Sequence, residues 1–254
     1  MGRHGEGAPS ATALVPAAGM GERLGGEGPK ALVELGGRPM LEWSLRAFAA
    51  AEVSAAVVAA PPGSEEEFRG AFAAPDGLEL QVVAGGPTRS ESVAAALATI
   101  DPETPLVAVH DAARPLVTSE LIEELIEELA ARPDAAAVIA AAAITDTVKR
   151  VREPRGGGEG AAGDQYEVVA TEDRDLLWAA QTPQVFRTPA LREALSADPQ
   201  RLAAATDDAW LVERAGGKVL VHPSSPDNLK VTTPFDLRVA ELVVAEREGG
   251  GPSR

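Results

Sequence analysis

ALVPAAGMGERLGGEGPKALVEL, residues 13–35, opens as an apolar strand and breaks into a loop where Gly19, Gly21, Gly25, Gly26 and Gly28 surround Arg23 and precede Lys30. A first strand ending in glycines ahead of a helix is the usual phosphate site of an open parallel sheet: backbone N–H groups turn inward without Cβ interference, and the helix start adds partial positive charge. Two nucleotide-loop patterns fail here. The P-loop needs Ser or Thr after its lysine, whereas Lys30 is followed by Ala31. A dinucleotide fingerprint needs an acid at a strand end about 20 residues on; Glu42 falls inside a helical pattern instead. What remains is an arginine and a lysine within one glycine loop. Phosphoryl or nucleotidyl transfer gathers negative charge on phosphorus and calls for cations placed there in advance, which hydride transfer does not.

Short apolar runs alternate with helical patterns along the rest of the chain, so the fold expected is α/β: a mostly parallel sheet covered by helices. The strands read as Thr12–Pro16, Ala55–Ala60, Leu80–Ala84, Leu106–His110, Ala135–Ala141 and Lys218–His222. Helices read as Pro39–Phe48, Glu91–Thr99, Thr118–Arg132, Pro189–Ser196, Asp207–Ala215 and Pro234–Arg247. Within Thr118–Arg132, Leu121, Ile122, Leu125, Ile126 and Leu129 form an apolar face, and Glu123, Glu124, Glu127 and Glu128 read as a solvated one. Trp43, Trp178 and Trp210 read as helix-packing positions, and His110 and His222 as structural.

From Thr145 to Arg174 the alternation stops. Charged, β-compatible flanks surround Gly156–Gly163 and read as a hairpin arm projecting from the sheet, with a flexible glycine tip. Residues 11–248 thus read as one domain including an arm at about 145–174, with frayed ends at 1–10 and 249–254.

Composition restricts the partners. The formal charge of −16 repels nucleic acid and anionic membranes, so an anionic ligand needs a locally positive pocket. With no cysteine and three histidines, any metal is expected to be a hard ion held by oxygens. No run has the length of a membrane span and the first ten residues lack an apolar signal core, so the expected location is the cytoplasm.

The stretch from Pro16 to Arg23 (PAAGMGER) with Pro29-Lys30 resembles the nucleotidyltransferases that join a sugar or polyol phosphate to a nucleoside monophosphate. Further stretches narrow this: GGPTRSESV (85–93), VHDAARP (109–115), TPQVF (182–186), TDDA (206–209) and DNLKVT (227–232). In order, from about residue 12 to residue 245, they resemble the 2-C-methyl-D-erythritol 4-phosphate cytidylyltransferase family. Two departures stand out: Ala31, where the family often has glutamine, and a longer, glycine-padded arm.

The resemblance implies a Rossmann-like, doubly wound, mostly parallel sheet with helices on both faces, a Mg²⁺-dependent reaction, CTP and methylerythritol phosphate as substrates, and a homodimer with clasped arms. It implies catalytic roles around the triphosphate for Arg23, Lys30 and Lys230. The CTP site it implies comprises Pro16, Ala17, Ala18, Gly19, Gly21, Gly86, Arg89, Ser92, Asp111 and Ala112. For the polyol phosphate it implies Asp111, Arg114, Thr147, Arg174 and Thr206, with Thr147 and Arg174 reaching over from the partner's arm. Mg²⁺ is carried mainly by the CTP phosphates; Asp111 fits either a metal contact or a substrate hydroxyl. A cytidylyltransferase for another polyol phosphate, such as ribitol 5-phosphate, and a non-catalytic nucleotide-sensing subunit stay open as alternatives.

Overall fold

The structure is a computed structural model and describes residues 11–21, 28–152 and 166–249. Arg23, the glycine tip at 156–163 and residues 1–10 and 250–254 lie outside the described residues. In chain order the elements are β1 (Ala11–Pro16), β2 (Glu34–Leu35), β3 (Arg38–Pro39), α1 (Met40–Ala50), β4 (Ala55–Ala60), α2 (Glu65–Ala71), β5 (Glu79–Ala84) and α3 (Arg89–Leu97). They continue with β6 (Leu106–Val109), α4 (Ser119–Ala130), β7 (Ala137–Ala143), β8 (Lys149–Arg152), β9 (Glu167–Thr171) and β10 (Trp178–Arg187). The chain ends through α5 (Thr188–Leu195), α6 (Pro199–Ala204), α7 (Asp208–Arg214), β11 (Val219–Pro223) and α8 (Pro234–Glu248).

Seven strands form the central sheet in the order β11-β7-β10-β6-β1-β4-β5. From β1 the chain steps outward through β4 to β5, then returns to pair β6 with the other edge of β1. That reversal puts a crevice at the carboxyl ends of β1 and β6, the topological switch point. Alternation along β1 divides the core: Ala11, Ala13 and Val15 join Leu45 and Phe48 of α1 and Ile122, Leu125 and Leu129 of α4. Leu14 faces Val93 of α3, Leu191 of α5 and Leu211 of α7 on the other side. A third cluster seats Ala240 and Val244 of α8 against Leu35, Met40, Leu116 and Val231.

The expected strands and helices form with ends shifted by one or two residues, as when Leu106–His110 ends at Val109. The sequence reading missed β10. Its segment WAAQTPQVFR carries Pro183, which lacks the N–H that a central strand donates. The structure accommodates it where the pairing of β10 with β7 shifts between Ala180 and Gln184, and the Thr182–Pro183 peptide is cis. β10 runs antiparallel to both β6 and β7 and buries Val185 and Phe186. Trp178 corrects the helix-packing expectation, because it is a half-exposed residue of β10. The acidic face of α4 is also not wholly solvated: His222 of β11 contacts Glu128 at 2.7 Å and Glu124 at 3.2 Å.

The two flanks of the expected arm form strands. β8 and β9 pair antiparallel, Lys149 opposite Thr171 and Arg152 opposite Glu167, and every residue of both strands is exposed.

Candidate active site

A cavity of about 290 Å³ opens at the switch point. Its first wall is the end of β1, Pro16 to Met20. Ala17 N–H donates to Ala59 C=O at 2.8 Å, holding the chain as it leaves the sheet. The glycine loop closes on itself at its base: Gly21 N–H donates to Gly28 C=O at 3.1 Å, and Lys30 N–H to Gly19 C=O at 3.1 Å. A Cβ on Gly21 would sit 3.3 Å from the Gly28 oxygen, so this crossing favours glycine. Lys30 then starts a 3-10 turn through Leu32 and lines the cavity with Ala31.

The second wall is Gly86 to Arg89 with Ser92. Thr88 and Glu91 form a reciprocal capping box that starts α3, so that helix begins at Arg89 and directs its N-terminal end at the cavity. Ser92 Oγ accepts the Gly86 N–H at 3.1 Å and lies 3.0 Å from the Thr88 carbonyl, tying the turn to the first turn of the helix. A Cβ on Gly86 would come within 2.3 Å of Glu91 Cβ.

Asp111, Ala112 and Ala113, following β6, and Lys230 complete the lining. Arg89 Nε donates to Asp111 Oδ1 at 2.9 Å, and Lys230 Nζ donates to Asp111 Oδ2 at 2.7 Å. Burial alone would raise the Asp111 pKa, but Arg89 and Lys230 hold it well below the usual carboxylate range. Asp111 is therefore ionised at neutral pH. Lys230 is fixed from both sides: Val231 N–H donates to Ala113 C=O at 2.8 Å, and Asn228 C=O accepts from Arg114 at 2.6 Å.

These walls bring two lysines 200 positions apart in sequence to one anion-sized cavity at the switch point. Residues 11–246 match the family described as IspD: 2-C-methyl-D-erythritol 4-phosphate cytidylyltransferase. The chain belongs to this family. It is 45% identical over 239 residues to the 2-C-methyl-D-erythritol 4-phosphate cytidylyltransferase of Streptomyces coelicolor, covering 92% of this chain and 85% of that protein. The Symbiobacterium thermophilum protein of the same name is 39% identical, with 92% of each chain covered. Among solved structures, the 4-diphosphocytidyl-2C-methyl-D-erythritol synthase from Anaerococcus prevotii matches with a TM-score of 0.74 at 27% identity, over 94% of this chain and 99% of that one. The Thermus thermophilus cytidylyltransferase matches with a TM-score of 0.69 at 34% identity, over 92% and 98%.

Of the cytidylyltransferase residues expected from sequence, Pro16, Ala17, Ala18, Gly19, Lys30, Gly86, Arg89, Ser92, Asp111, Ala112 and Lys230 line the one cavity. Gly21 lies at the base of the loop. Arg114 is buried, and its guanidinium donates to backbone carbonyls of Asn228 and Ala180. Thr147 and Arg174 are exposed at the foot of the arm, with Arg174 donating to the Thr145 carbonyl. Thr206 is exposed just ahead of α7. These last four lie outside the cavity lining.

Sequence reasoning gave no role to the residues beneath Asp111. Its N–H donates to Thr182 Oγ1 at 3.0 Å, and that hydroxyl lies 3.2 Å from His110 Nδ1. His110 Nε2 is 3.2 Å from the Arg114 carbonyl, which can only accept, so Nε2 carries the ring proton and Nδ1 accepts from Thr182. Burial pushes the His110 pKa down to about 4, with Asp111 opposing, so the ring is neutral at pH 7. Asn228 Nδ2 donates to the Gln181 side chain at 3.0 Å and to the Thr182 carbonyl at 2.9 Å, joining the Lys230 loop to β10. The signal available in the sequence is TPQVF (182–186), whose threonine, Thr182, carries both contacts.

Proposed function

We propose that the cavity binds CTP and that the chain transfers CMP to 2-C-methyl-D-erythritol 4-phosphate, giving 4-diphosphocytidyl-2-C-methyl-D-erythritol and pyrophosphate in isoprenoid precursor synthesis. The observation that carries this reading is the convergence of Lys30 and Lys230 on one cavity beside the amino end of α3.

The acceptor is a phosphate monoester whose second pKa is about 6, so at neutral pH it is already largely dianionic and needs no general base. One of its oxygens forms a bond to the α-phosphorus of CTP as the bond from that phosphorus to the bridging oxygen breaks, and pyrophosphate leaves. The protein's task is to align two anions and offset their repulsion. Lys30 and Lys230 serve the crowded α-phosphorus, and Arg23 serves the β- and γ-phosphates. The α3 amino end adds the partial charge of its unpaired N–H groups.

Among the described residues no group of three His, Asp or Glu is arranged to hold a metal, and Asp111, the carboxylate of the cavity lining, is already compensated by Arg89 and Lys230. These residues fit a divalent cation, Mg²⁺, that would come in on the nucleotide phosphates, with Asp111 placed to meet either that cation or a substrate hydroxyl. Such a cation would supply neutralisation of the leaving pyrophosphate.

The arm is read as a dimer element. Val151, Val168 and Val169 are exposed on a two-stranded ribbon that such ribbons do not sustain alone in water, and a second copy clasping it would cover them. In that dimer Arg174 and Thr147 would serve the partner's acceptor phosphate together with Thr206 and Arg114. No described helix is long and apolar enough to cross a membrane, and the proposed location is the cytoplasm, where CTP is available.

Pyrophosphate release tests the reading directly. With Mg²⁺ and CTP, methylerythritol phosphate is expected to support release well above ribitol 5-phosphate. Faster release with ribitol 5-phosphate would replace the acceptor, and no release with either would leave a nucleotide-binding subunit.

A further inference from the structure

The side chains beneath the cavity form one alternating chain of charge. Lys230 meets Asp111 at 2.7 Å, Asp111 meets Arg89 at 2.9 Å, and Arg89 NH1 meets Asp208 Oδ2 at 2.5 Å. Its two ends differ sharply in side-chain exposure, 45% at Lys230 and 0% at Asp208, with Asp111 at 11% and Arg89 at 27% between them. The chain begins at the reacting centre and ends in the interior on α7.

We propose that Asp208 is a positioning residue for the transfer reaction: it pins the far edge of the Arg89 guanidinium, so that Arg89 keeps compensating Asp111 when Lys230 turns from Asp111 to the nucleotide. The inference rests on the cytidylyltransferase reading and extends it to a residue 119 positions from Arg89 that lines no part of the cavity.

The argument is one of alternatives open to each cation. Lys230 is half-exposed on a flexible stem, and leaving Asp111 for a phosphate exchanges one anion for another. Arg89 has no such freedom. Its departure would strand Asp208 in a site that excludes water, and breaking a buried pair by removing one partner is strongly destabilising. Asp208 Oδ1 is already buried with no hydrogen-bond partner, so Arg89 is what compensates this carboxylate among the described residues. The neighbouring fold is committed to the same placement. Asp207 caps α7 through Trp210 N–H at 2.8 Å and accepts from Gln184 of β10 at 2.8 Å. Ala209 N–H donates to the Gln184 side chain at 3.2 Å. Asp208 is thus clamped between two residues bound to the sheet.

Five proteins decide it: wild type, Asp208→Asn, Asp208→Glu, Arg89→Gln and the Asp208→Asn/Arg89→Gln double variant, each assayed for CMP transfer and normalised to the fraction that binds CTP by calorimetry. Asp208→Asn keeps size and one acceptor but loses charge. It is expected to lower kcat at least about tenfold while KM for CTP stays within about threefold, a loss confined to the transition state. Asp208→Glu, which keeps the charge, should retain more turnover than Asp208→Asn. The double variant should be no worse than Arg89→Gln alone, because Asp208 acts through Arg89. Wild-type kcat in Asp208→Asn overturns the role. Recovery of turnover in the double variant, a balanced neutral pair, also overturns it by showing that only packing was lost. A silent wild type overturns the activity and this role together, whereas an active wild type with an indifferent Asp208→Asn overturns only the role.

Discussion

Two sets of ion pairs in this molecule sit in contrasting surroundings. Beneath the cavity, Asp208, Arg89, Asp111 and Lys230 alternate in sign with three of the four largely shielded from solvent. Along the arm, Arg152 of β8 pairs with Glu167 of β9 at 2.8 Å with both side chains more than half exposed, and Arg150 pairs at 2.6 Å with Glu172, just past the end of β9. The residue types are alike and the distances similar, yet the physical consequences differ. A buried ladder cannot exchange partners without stranding a charge, so it fixes geometry. An exposed ladder can exchange every partner for water, so it keeps the ribbon soluble and leaves its valines to be covered by something else.

The comparison breaks first at Lys30. Lys30→Ala removes a cation of the cavity lining that we propose serves the reacting phosphorus, and loss of one positioned electrostatic donor costs about 100- to 1000-fold in kcat. Turnover should fall by that amount while thermal stability and solution mass stay those of the wild type. Turnover within about threefold of wild type would remove Lys30 from the chemistry.

Next is the buried polar chain that supports Asp111 from below. The unfolded-state pKa of a histidine is about 6.5, and His110 in the fold is held down to about 4. Between those values the unfolded chain binds a proton that the folded chain refuses, so stability falls as pH is lowered through this window and the contribution is full above it. The difference amounts to about 3 kcal/mol at pH 4. Denaturant unfolding at pH 7 and pH 4 should show His110→Gln losing less stability on acidification than wild type by about that amount. Equal losses would mean that the ring is protonated in the fold.

These effects also mark what the sequence could and could not reveal. The glycine loop, the alternating strands and the two lysines were legible because each is a local pattern: period, spacing or residue type. β10 was not, because its proline argues locally against a central strand and only the shift in pairing with β7 resolves the conflict. Asp208 was quoted within TDDA (206–209) and still had no role, since its partner Arg89 is 119 positions away and burial, which gives the pair its weight, is a property of the folded chain. Glu124 and Glu128 looked like surface because a helix face says nothing of the histidine that a neighbouring strand brings to it. For Arg114 the motif frame implies a substrate contact, and the structure adds a task that the sequence did not show: its guanidinium donates to the Asn228 and Ala180 carbonyls and so ties the Lys230 loop to β10.

A smaller effect tests whether the arm serves the cavity of another copy. Arg174→Ala should lower kcat/KM for the acceptor phosphate about tenfold, the size expected for one charge-assisted contact. In the proposed dimer, Lys30→Ala has a dead cavity and an intact arm, and Arg174→Ala the reverse. Random pairing of equal amounts gives half mixed dimers with one complete site each, so the mixture should reach about a quarter of wild-type activity. Activity equal to the mean of the two variants would place Arg174 on its own cavity or on none.

The smallest expected effect lies in the arm's own ladder. Glu167→Gln keeps the strand residue, its length and a hydrogen-bond acceptor for Arg152, and removes only the charge of a pair in which both side chains are more than half exposed. Exposed pairs of this kind contribute about 0.2–1 kcal/mol, and salt screens even that. Unfolding free energy should therefore change by less than about 1 kcal/mol, and the change should vanish at high salt. Removing one charge at Asp208, by contrast, is expected to act on turnover, because it frees the far edge of the Arg89 guanidinium that compensates Asp111. A large salt-independent loss in Glu167→Gln would show that the arm pair is itself buried, and the cover available for it on this ribbon is the arm of a second copy. That outcome would make the two ladders alike in burial as well as in chemistry, and would move the boundary of the functional unit from one chain to two.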